Sequence, residues 1–380
     1  MRATQGRIGT SSDDVRRRNL SSVLTLVHRQ RAASRADLTR HTGLSRSTTK
    51  DLVEELVARG LVEESPALAA TQVGRPSPIV RPGDRALTVA VTPEVDAVTV
   101  GLVSLGGSVR HVVRHPVDLP SPEQTVTLAA DAIGDLRRTL RDDQTVIAVG
   151  LAVPGLVCGP DSAVQLAPNL GWHDVAIGQM LSDAIDLPVV ATNDANAGAI
   201  AEHLFGQHED ADHLIYVNGG PSGIGAGFVV AGGLLEGASG YAGELGHTYV
   251  GGSDQCHCGS VGCLETVVIQ APLTRLLSDS GRPEPDPAEA DMLASQARAL
   301  AIALGNAVNM LNPGLIVLGG FLRAFPAFAA AVLREELARH CMAAPRALVR
   351  IVPATLGAET LVIGAAEMAF AQVLADPGRF

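Results

Sequence analysis

The sequence is poor in aromatic residues and has no long apolar run. Aromatic residues make up 3% of its 380 residues, and no stretch of 18 uninterrupted apolar residues occurs. A membrane-spanning helix needs about 20 such residues, so we expect neither a span nor a membrane partner. Charged side chains, among them Arg2, Arg7, Asp13 and Asp14, stand where a signal peptide would need an apolar core. We therefore expect a cytoplasmic protein.

Cysteines are few, and their distribution favours a metal site over disulfides. Three of the five, Cys256, Cys258 and Cys263, lie within eight positions of one another. In a large cytoplasmic chain such clustering is typical of metal ligation. The other two, Cys158 and Cys341, are isolated in apolar surroundings and are expected to be inert packing residues.

Charge is unevenly distributed along the chain. Residues 1–81 hold 14 Lys and Arg against 8 Asp and Glu, a net +6, and the remainder holds 15 against 32, a net −17, which together account for the total of −11. A basic segment ahead of an acidic body is typical of a DNA-binding module attached to a larger domain. The apolar content of 46% is enough to build cores for two or three domains.

The basic segment contains three predicted helices. The first covers residues 15–31, and the second begins at a capping pair, Ser34 and Asp37, and stops at Gly43. The third begins at Ser45 and ends at Gly60. The apolar stripe of the first is Val15, Leu20, Val23, Leu24 and Val27, and that of the third is Leu52, Val53, Leu56 and Val57.

The tight turn "TGLS" between the second and third helices predicts a helix-turn-helix. Because the apolar stripe occupies the inward face, the polar and basic residues around the start of the third helix would face DNA. The expected DNA-contacting residues are Arg35, Ser45, Arg46, Ser47, Thr48, Thr49, Lys50 and Arg75. An ordinary three-helix bundle with a solvated basic face is the alternative.

Strand-like segments follow the third helix and flank a polar loop. We interpret residues 65–83 as a wing with Arg75 at its tip, near a minor groove. A Pro-rich linker is the competing interpretation. The predicted DNA-binding domain is 1–81, with 1–14 flexible.

From residue 87 onward, apolar strands alternate with helices, which predicts two α/β lobes with a ligand cleft between them. The first lobe covers residues 84–193 and the second 194–357. A C-terminal helix at 358–376 is expected to return to the first lobe near the linker, where it is a candidate relay. The apolar helices at 291–311 and 325–339 are expected to be either core or a subunit interface.

The cysteine cluster has a histidine upstream. His247, Cys256, Cys258 and Cys263 offer one nitrogen and three sulfurs, a closed tetrahedral set that suits structural zinc and leaves no position for a catalytic water. A redox or metal-free role is the alternative, although a disulfide in C-x-C would be strained.

Several segments, read in order, resemble the ROK family of sugar kinases and sugar-responsive repressors. They are "VPGLV", "APNLGW", "TNDANAGAIAEHLFG", "SGIGAGFVVAGGLLEGASGYAGELGH", "CHCGSVGCLE" and "PGLIVLGG", and the resemblance covers roughly residues 15–370. With a winged helix in front, the chain resembles the repressor branch. The implied fold is α/β, a winged helix-turn-helix followed by a two-lobed actin/hexokinase-like ATPase-type body.

The resemblance also implies the site residues. The same four zinc ligands are expected, and Glu244, His247 and Glu265 would contact a sugar. Asn193 and Asp194 open a helix at the cleft mouth, and in the kinases the matching Asp is the general base. Gly155 and Asn169 are expected near the sugar as well. Without the surrounding motifs, Asn193 and Asp194 would be read as a helix cap alone.

An ATP site in this fold needs two glycine-containing turns around the phosphates. The second is present in "GGPSGIGAGF", where Gly223, Gly225 and Gly227 are candidate positions of close approach, although a tight hairpin would read the same. The first is not. Thr92 replaces the magnesium-associated Asp, Pro93 removes an amide donor, and Glu94 replaces a glycine and would repel triphosphate.

The sequence therefore predicts a sugar-responsive transcriptional regulator without kinase activity, in which Asp194 is a vestigial base. It would bind a palindromic double-stranded DNA operator as a homodimer or homotetramer. A bifunctional sugar kinase and regulator is the alternative. A zinc-braced DNA-binding scaffold that assembles with another protein and binds no small molecule is the third possibility.

Overall fold

The structure, a computed structural model, describes residues 12–66, 77–158, 162–208, 211–278 and 285–380. Arg75, the centre of the predicted wing and residues 1–11 lie outside these ranges. Residues 12–14, expected to be flexible, belong to the first helix.

The N-terminal module is a helix-turn-helix followed by paired strands. Its elements are α1 (Ser12–Gln30), β1 (Ala33–Ser34), α2 (Arg35–Thr42), α3 (Arg46–Ala58), β2 (Val62–Ser65) and β3 (Ile79–Pro82). The strands form an antiparallel sheet in the order β1-β3-β2. Because β2 and β3 pair along their whole length, residues 79–82 form the base of a wing and not a linker.

Local sequence signals set the ends of α2. The predicted capping box is present, since Ser34 Oγ accepts from Asp37 N at 3.1 Å and Asp37 Oδ2 accepts from Ser34 N at 3.4 Å. Gly43 ends the helix in the left-handed region, at φ 69°.

Two predicted core positions of this module were wrong. Val15 is 43% exposed and Val57 is 41% exposed. At about 100° per residue, Val15 lies roughly 130° from the centre of the buried face of α1, and Val57 roughly 90° from that of α3.

The first lobe is built on a five-stranded mixed sheet. Its elements are β4 (Ala86–Glu94), β5 (Ala97–Ser104), β6 (Ser108–Pro116), α4 (Pro122–Thr139), β7 (Thr145–Val153), β8 (Leu156–Cys158), β9 (Ala163–Ala167), β10 (Trp172–Val175), α5 (Ile177–Ile185) and β11 (Val189–Asn193). The next helix, α6 (Asp194–Phe205), packs mainly on the sheet of the second lobe. The sheet order is β11-β7-β4-β5-β6, and β8, β9 and β10 form a small separate sheet. Strands β4, β7 and β11 are parallel, so their carboxyl ends lie at one edge.

The second lobe is also built on a five-stranded mixed sheet. It contains β12 (Leu214–Gly220), β13 (Gly223–Val230), β14 (Gly233–Leu234), α7 (Leu264–Val267), α8 (Gln270–Ser278), α9 (Pro287–Leu311), β15 (Leu315–Leu318), α10 (Ala324–Phe328), α11 (Ala330–His340), α12 (Ala343–Leu348) and β16 (Arg350–Pro353). The sheet order is β14-β13-β12-β15-β16. The apolar faces of α9 and α11, including Leu300, Leu304, Leu333 and Leu337, fill the core of this lobe. The helix predicted at 325–339 is broken at Ala329.

The last helix, α13 (Thr360–Ala375), returns to the first lobe, where it packs on β7 and β4, and it also packs on α6. One helix of the described chain, Gly357–Ala375, is long and apolar enough to cross a membrane, and 56% of its apolar window is buried inside the protein. Its residues Val362, Ala366 and Phe370 share one core with Leu24 and Leu56 of the DNA-binding module. They therefore pack as core residues of a globular fold.

Candidate functional site

The cleft begins at the edge of the first sheet where the parallel strands end. Glu94 is the last residue of β4, Asn193 is the last of β11, and Asn193 lies in register with Val153 of β7. Gly155 lies two residues after Val153, beyond Pro154. The carboxyl ends of parallel strands are where ligands bind in open α/β sheets.

Asn193 serves both as helix cap and as cleft residue. Its Oδ1 accepts from Ala195 N at 2.9 Å and from Asn196 N at 3.1 Å, which fixes the start of α6. Its Nδ2 donates to the carbonyl of Gly155 at 3.0 Å. One amide hydrogen remains beyond that bond.

Asp194 is held in place by hydrogen bonds and is half-buried. Its Oδ1 accepts from Ala195 N at 2.8 Å, and its Oδ2 accepts from Asn218 Nδ2 at 3.2 Å. Burial raises the pKa of the Asp194 carboxyl, and these hydrogen bonds oppose the shift. Sequence reasoning missed Asn218, which lies within β12 in the segment "YVNGG" and belongs to the other lobe.

The second lobe contributes Glu244, His247 and Glu265. His247 Nδ1 lies 3.5 Å from Glu265 Oε1, and His247 Nε2 lies 3.9 Å from Glu244 Oε2. Glu265 is buried, whereas the Glu244 side chain is 44% exposed and lies on the open side of the cleft. Burial raises the pKa of Glu244, with further contributions from the charges of Asp194 and Glu265.

The predicted metal ligands come together. The ligand atoms of His247, Cys256, Cys258 and Cys263 all lie within 4.8 Å of one another. Cys258 Sγ is 3.7 Å from Cys263 Sγ, and Cys256 Sγ is 3.6 Å from His247 Nδ1. A tetrahedral zinc site requires about 3.8 Å between two sulfurs and about 3.6 Å between sulfur and nitrogen. The four side chains therefore form a cluster whose geometry is compatible with structural zinc.

His257 also belongs to this region, and sequence reasoning missed it. Its Nε2 lies 3.1 Å from Glu265 Oε1, so Glu265 is held between two imidazoles. Cys256 Sγ donates to the same oxygen at 3.0 Å.

Asn169 connects the two lobes. Its Nδ2 donates to the carbonyl of Ser222 at 2.6 Å, in the turn between β12 and β13. A Cβ at Gly223, whose φ is 107°, would lie 2.7 Å from Glu265 Oε2. Gly223 therefore allows this turn to approach the cleft closely.

The other glycines of β13 have a packing role, unlike the phosphate contact considered from the sequence. A Cβ at Gly225 would lie 3.0 Å from Ala195 Cβ, and one at Gly227 would lie 2.5 Å from the Ala195 carbonyl. Glycine is needed at both positions because α6 lies directly on β13 and leaves no room for a side chain. Gly220 pairs with Gly223, so the loop between them is a tight hairpin.

The segment expected to replace the first phosphate turn is also a tight hairpin. Thr92 and Pro93 are buried, and Glu94 pairs with Ala97 across the turn. Burial raises the pKa of Glu94 to about 7, with the charges of Asp96 and Asp194 adding to the shift.

The predicted DNA-binding surface needs corrections. Thr49 is 1% exposed, because its hydroxyl bonds to Thr39 Oγ1 and to the carbonyl of Ser45 between the two helices. Arg35 is ion-paired with Glu64 of β2, so it braces the wing. Ser45 Oγ caps α3 by accepting from Thr48 N at 3.1 Å. At the start of α3, Arg46, Ser47 and Lys50 are exposed and Thr48 is half-buried.

Comparison with known proteins agrees with both parts of the chain. The ROK family matches residues 89–372, and the IclR helix-turn-helix domain matches residues 19–66. The putative xylose repressor of Caldicellulosiruptor sp. (strain Rt8B.4) is 27% identical, covering 93% of this chain and 96% of its own. The glucokinase of Thermotoga maritima is 28% identical over 71% of this chain and 93% of its own.

The fold has a solved counterpart. A ROK family transcriptional regulator, a homologue of the Escherichia coli MLC protein, superposes with a TM-score of 0.75 at 24% identity, covering 95% of this chain and 97% of that one. At this identity the likeness shows the fold alone.

Proposed function

The chain belongs to the ROK family, and from this premise we propose that it is a sugar-responsive transcriptional repressor of carbohydrate metabolism genes. It binds operator DNA through the helix-turn-helix and a sugar through the cleft between its lobes. It is supported by the match of this chain to both a helix-turn-helix domain and the ROK family, and by its similarity to a putative xylose repressor over 93% of its length.

One observation carries this proposal: the DNA-binding module and the cleft are parts of one packed body. Leu24 and Leu56 of the module share a buried core with Phe370 of α13, and α13 packs on α6, which begins with Asp194. A ligand that changes the position of α6 can therefore bias the placement of the module.

The cleft is suited to a polyol. Asn193, Asp194, Glu244, His247 and Glu265 offer amide, carboxylate and imidazole groups, which bind hydroxyls by donating or accepting hydrogen bonds. Gly155 and Asn169 complete this proposed sugar site.

Zinc is the proposed ion for the cysteine cluster, held by His247 Nδ1, Cys256, Cys258 and Cys263. When bound, it would supply a rigid cross-link. His247 Nε2 then remains a donor of fixed direction on the side of Glu244, and Glu265 follows the last ligand by two residues. The metal would thus position sugar contacts without taking part in a reaction.

The same proposal includes no phosphoryl transfer. By the family resemblance, Pro93 and Glu94 stand where the kinases have a phosphate turn. Here they lie in a tight hairpin, and Gly225 and Gly227 pack against α6. A two-fold oligomer reading a palindromic operator and a cytoplasmic location complete the proposal.

Thermal-shift screening with sugars, with ATP and magnesium as controls, tests this function. The proposal expects at least one sugar to raise the melting temperature of the wild type and not of Glu244→Gln. Phosphorylation of a hexose by the purified chain would overturn the non-enzymatic part.

A further inference from the structure

We infer that the cleft accepts an uncharged sugar and rejects the phosphate ester of that sugar, and that Glu94 is the side chain that makes this selection. The inference rests on the proposed sugar-binding function and specifies its ligand class.

Four carboxylates come from separate segments around the cleft. They are Glu94 at the end of β4, Asp194 at the start of α6, Glu244 before the metal cluster and Glu265 in α7. They are close enough to influence one another, since the charge of Asp194 contributes to the raised pKa of both Glu94 and Glu244, beyond the larger effect of burial. An anionic ligand would meet this whole group.

Cationic side chains do not offset the group. Within the described ranges, the ion-pair partners of these four carboxylates are histidines, His247 and His257. The arginine that affects Glu94 is Arg114, whose guanidinium is bonded to Asp96 at 2.7 Å. Phosphate sites use arginine or lysine in such positions.

The helix start at the cleft is closed to anions as well. A helix N-terminus binds phosphate through free backbone amides. At α6 the amides of Ala195 and Asn196 are already taken by the side chains of Asn193 and Asp194, at 2.8 to 3.1 Å. These donors are therefore not available to a phosphate.

The position of Glu94 makes the exclusion specific. Only β7 lies between β4 and β11, so the ends of the two outer strands are about 10 Å apart, or two strand spacings. Side chains of Glu94 and Asp194 that extend into this gap leave room for a hydroxyl. A phosphate on a hydroxyl beside Asp194 would lie within a few ångströms of both carboxylates and be repelled by both.

Calorimetric titration tests the inference on the full-length protein. The probes are glucose, N-acetylglucosamine and xylose, each beside its 6-phosphate or 5-phosphate. We expect wild type to bind at least one neutral sugar, and to bind its ester at least roughly tenfold more weakly. Glu94→Gln keeps the shape of the side chain and removes its charge, so it should reduce the difference in affinity between the sugar and its ester by about tenfold. The control variant at an exposed position, Glu359→Gln, should leave this difference unchanged.

The outcomes separate the inference from the function. If wild type binds a sugar and its ester equally well, or if Glu94→Gln leaves the difference in affinity intact, the inference fails and the sugar site stands. If none of the probes binds, the proposed function fails with it. Should Glu94→Gln not fold, Glu94→Ala replaces it in the same titrations. The difference in affinity between the sugar and its ester should narrow by about tenfold, and an unchanged difference would contradict the inference.

Discussion

His28 Nε2 lies 2.7 Å from Glu367 Oε2, and both side chains are almost completely buried, at 1% and 2% exposure. His28 belongs to α1 of the DNA-binding module, and Glu367 to α13 of the body. His28 Nδ1 accepts from Gly106 N at 2.9 Å, which assigns the ring hydrogen to Nε2 and makes it the donor to Glu367. This contact fastens the module to the body.

The same helix also packs on α6, the helix that begins at the cleft. Gly364 packs directly on the backbone of Ala197 in α6, where any larger residue would collide. Met368, next to Glu367, lines a cavity of about 690 Å³ together with Asn193. The C-terminal helix therefore lies between the cleft and the DNA-binding module, as a relay requires.

Replacing His28 by leucine should destabilise the protein. The Glu367 carboxylate would stay buried without its donor, at a cost of about 2–4 kcal/mol in the free energy of unfolding. Urea denaturation measures this, with the exposed His173→Leu as control, expected within about 0.5 kcal/mol of wild type. A His28→Leu protein as stable as wild type would show that the contact does not fasten the module.

Glu94 should make stability depend on pH. Its pKa rises from 4.5 to about 7 on folding, so the folded state binds more protons than the unfolded state between these values. The stability that this proton contributes is present at low pH and is lost as pH rises through the window. Glu94→Gln should therefore be about 1–3 kcal/mol more stable than wild type at pH 8 and nearly equal at pH 5. Urea titrations at both pH values check this. A Glu94→Gln variant that is more stable than wild type only at pH 5 would contradict the prediction.

Metal content should follow the cysteine cluster. We expect about one zinc per chain in wild type, measured by plasma mass spectrometry, and loss of the metal in Cys258→Ser and Cys263→Ser. Unfolding free energy should fall by roughly 3 kcal/mol or more, because the ion links four side chains. Cys341→Ser, outside the cluster, should retain the metal. If removal of zinc from wild type left its free energy of unfolding unchanged, the metal would have no structural role.

Arg46 should contribute to DNA affinity. Arg46→Ala removes an exposed charge at the start of α3 and should weaken operator binding about five- to tenfold. If its partner is a phosphate, the slope of log affinity against log salt should decrease by about one. Fluorescence anisotropy measures both quantities. Arg334→Ala in the second lobe is the matched control. If both variants lost the same affinity for the operator, the start of α3 would not be the DNA-binding surface.

Short-range signals in the sequence predicted much of the fold. Ser34, Asp37 and Gly43 define the ends of α2 through contacts within one or two turns. The metal ligands are recognisable because Cys256, Cys258 and Cys263 are close in sequence as well as in space. The alternation of apolar strands and helices predicted the two lobes, and the family resemblance then supplied the type of fold.

Contacts between distant segments could not be predicted in this way. His28 and Glu367 are 339 positions apart, and no sequence motif near either residue indicates that they are in contact. Gly225 and Gly227 look the same in sequence whether they approach a phosphate or a helix. Thr49 was assigned to DNA because its neighbours are polar, but its rotation on α3 places it against α2.

The most direct test of the account is the affinity for operator DNA with and without sugar. DNA selected in vitro for tight binding would be titrated by fluorescence anisotropy against wild type and Glu244→Gln, using the neutral sugar with the largest thermal shift. The account predicts that this sugar changes the operator Kd of wild type by at least about tenfold and leaves Glu244→Gln unaffected. An operator Kd that stays the same at saturating sugar would contradict it.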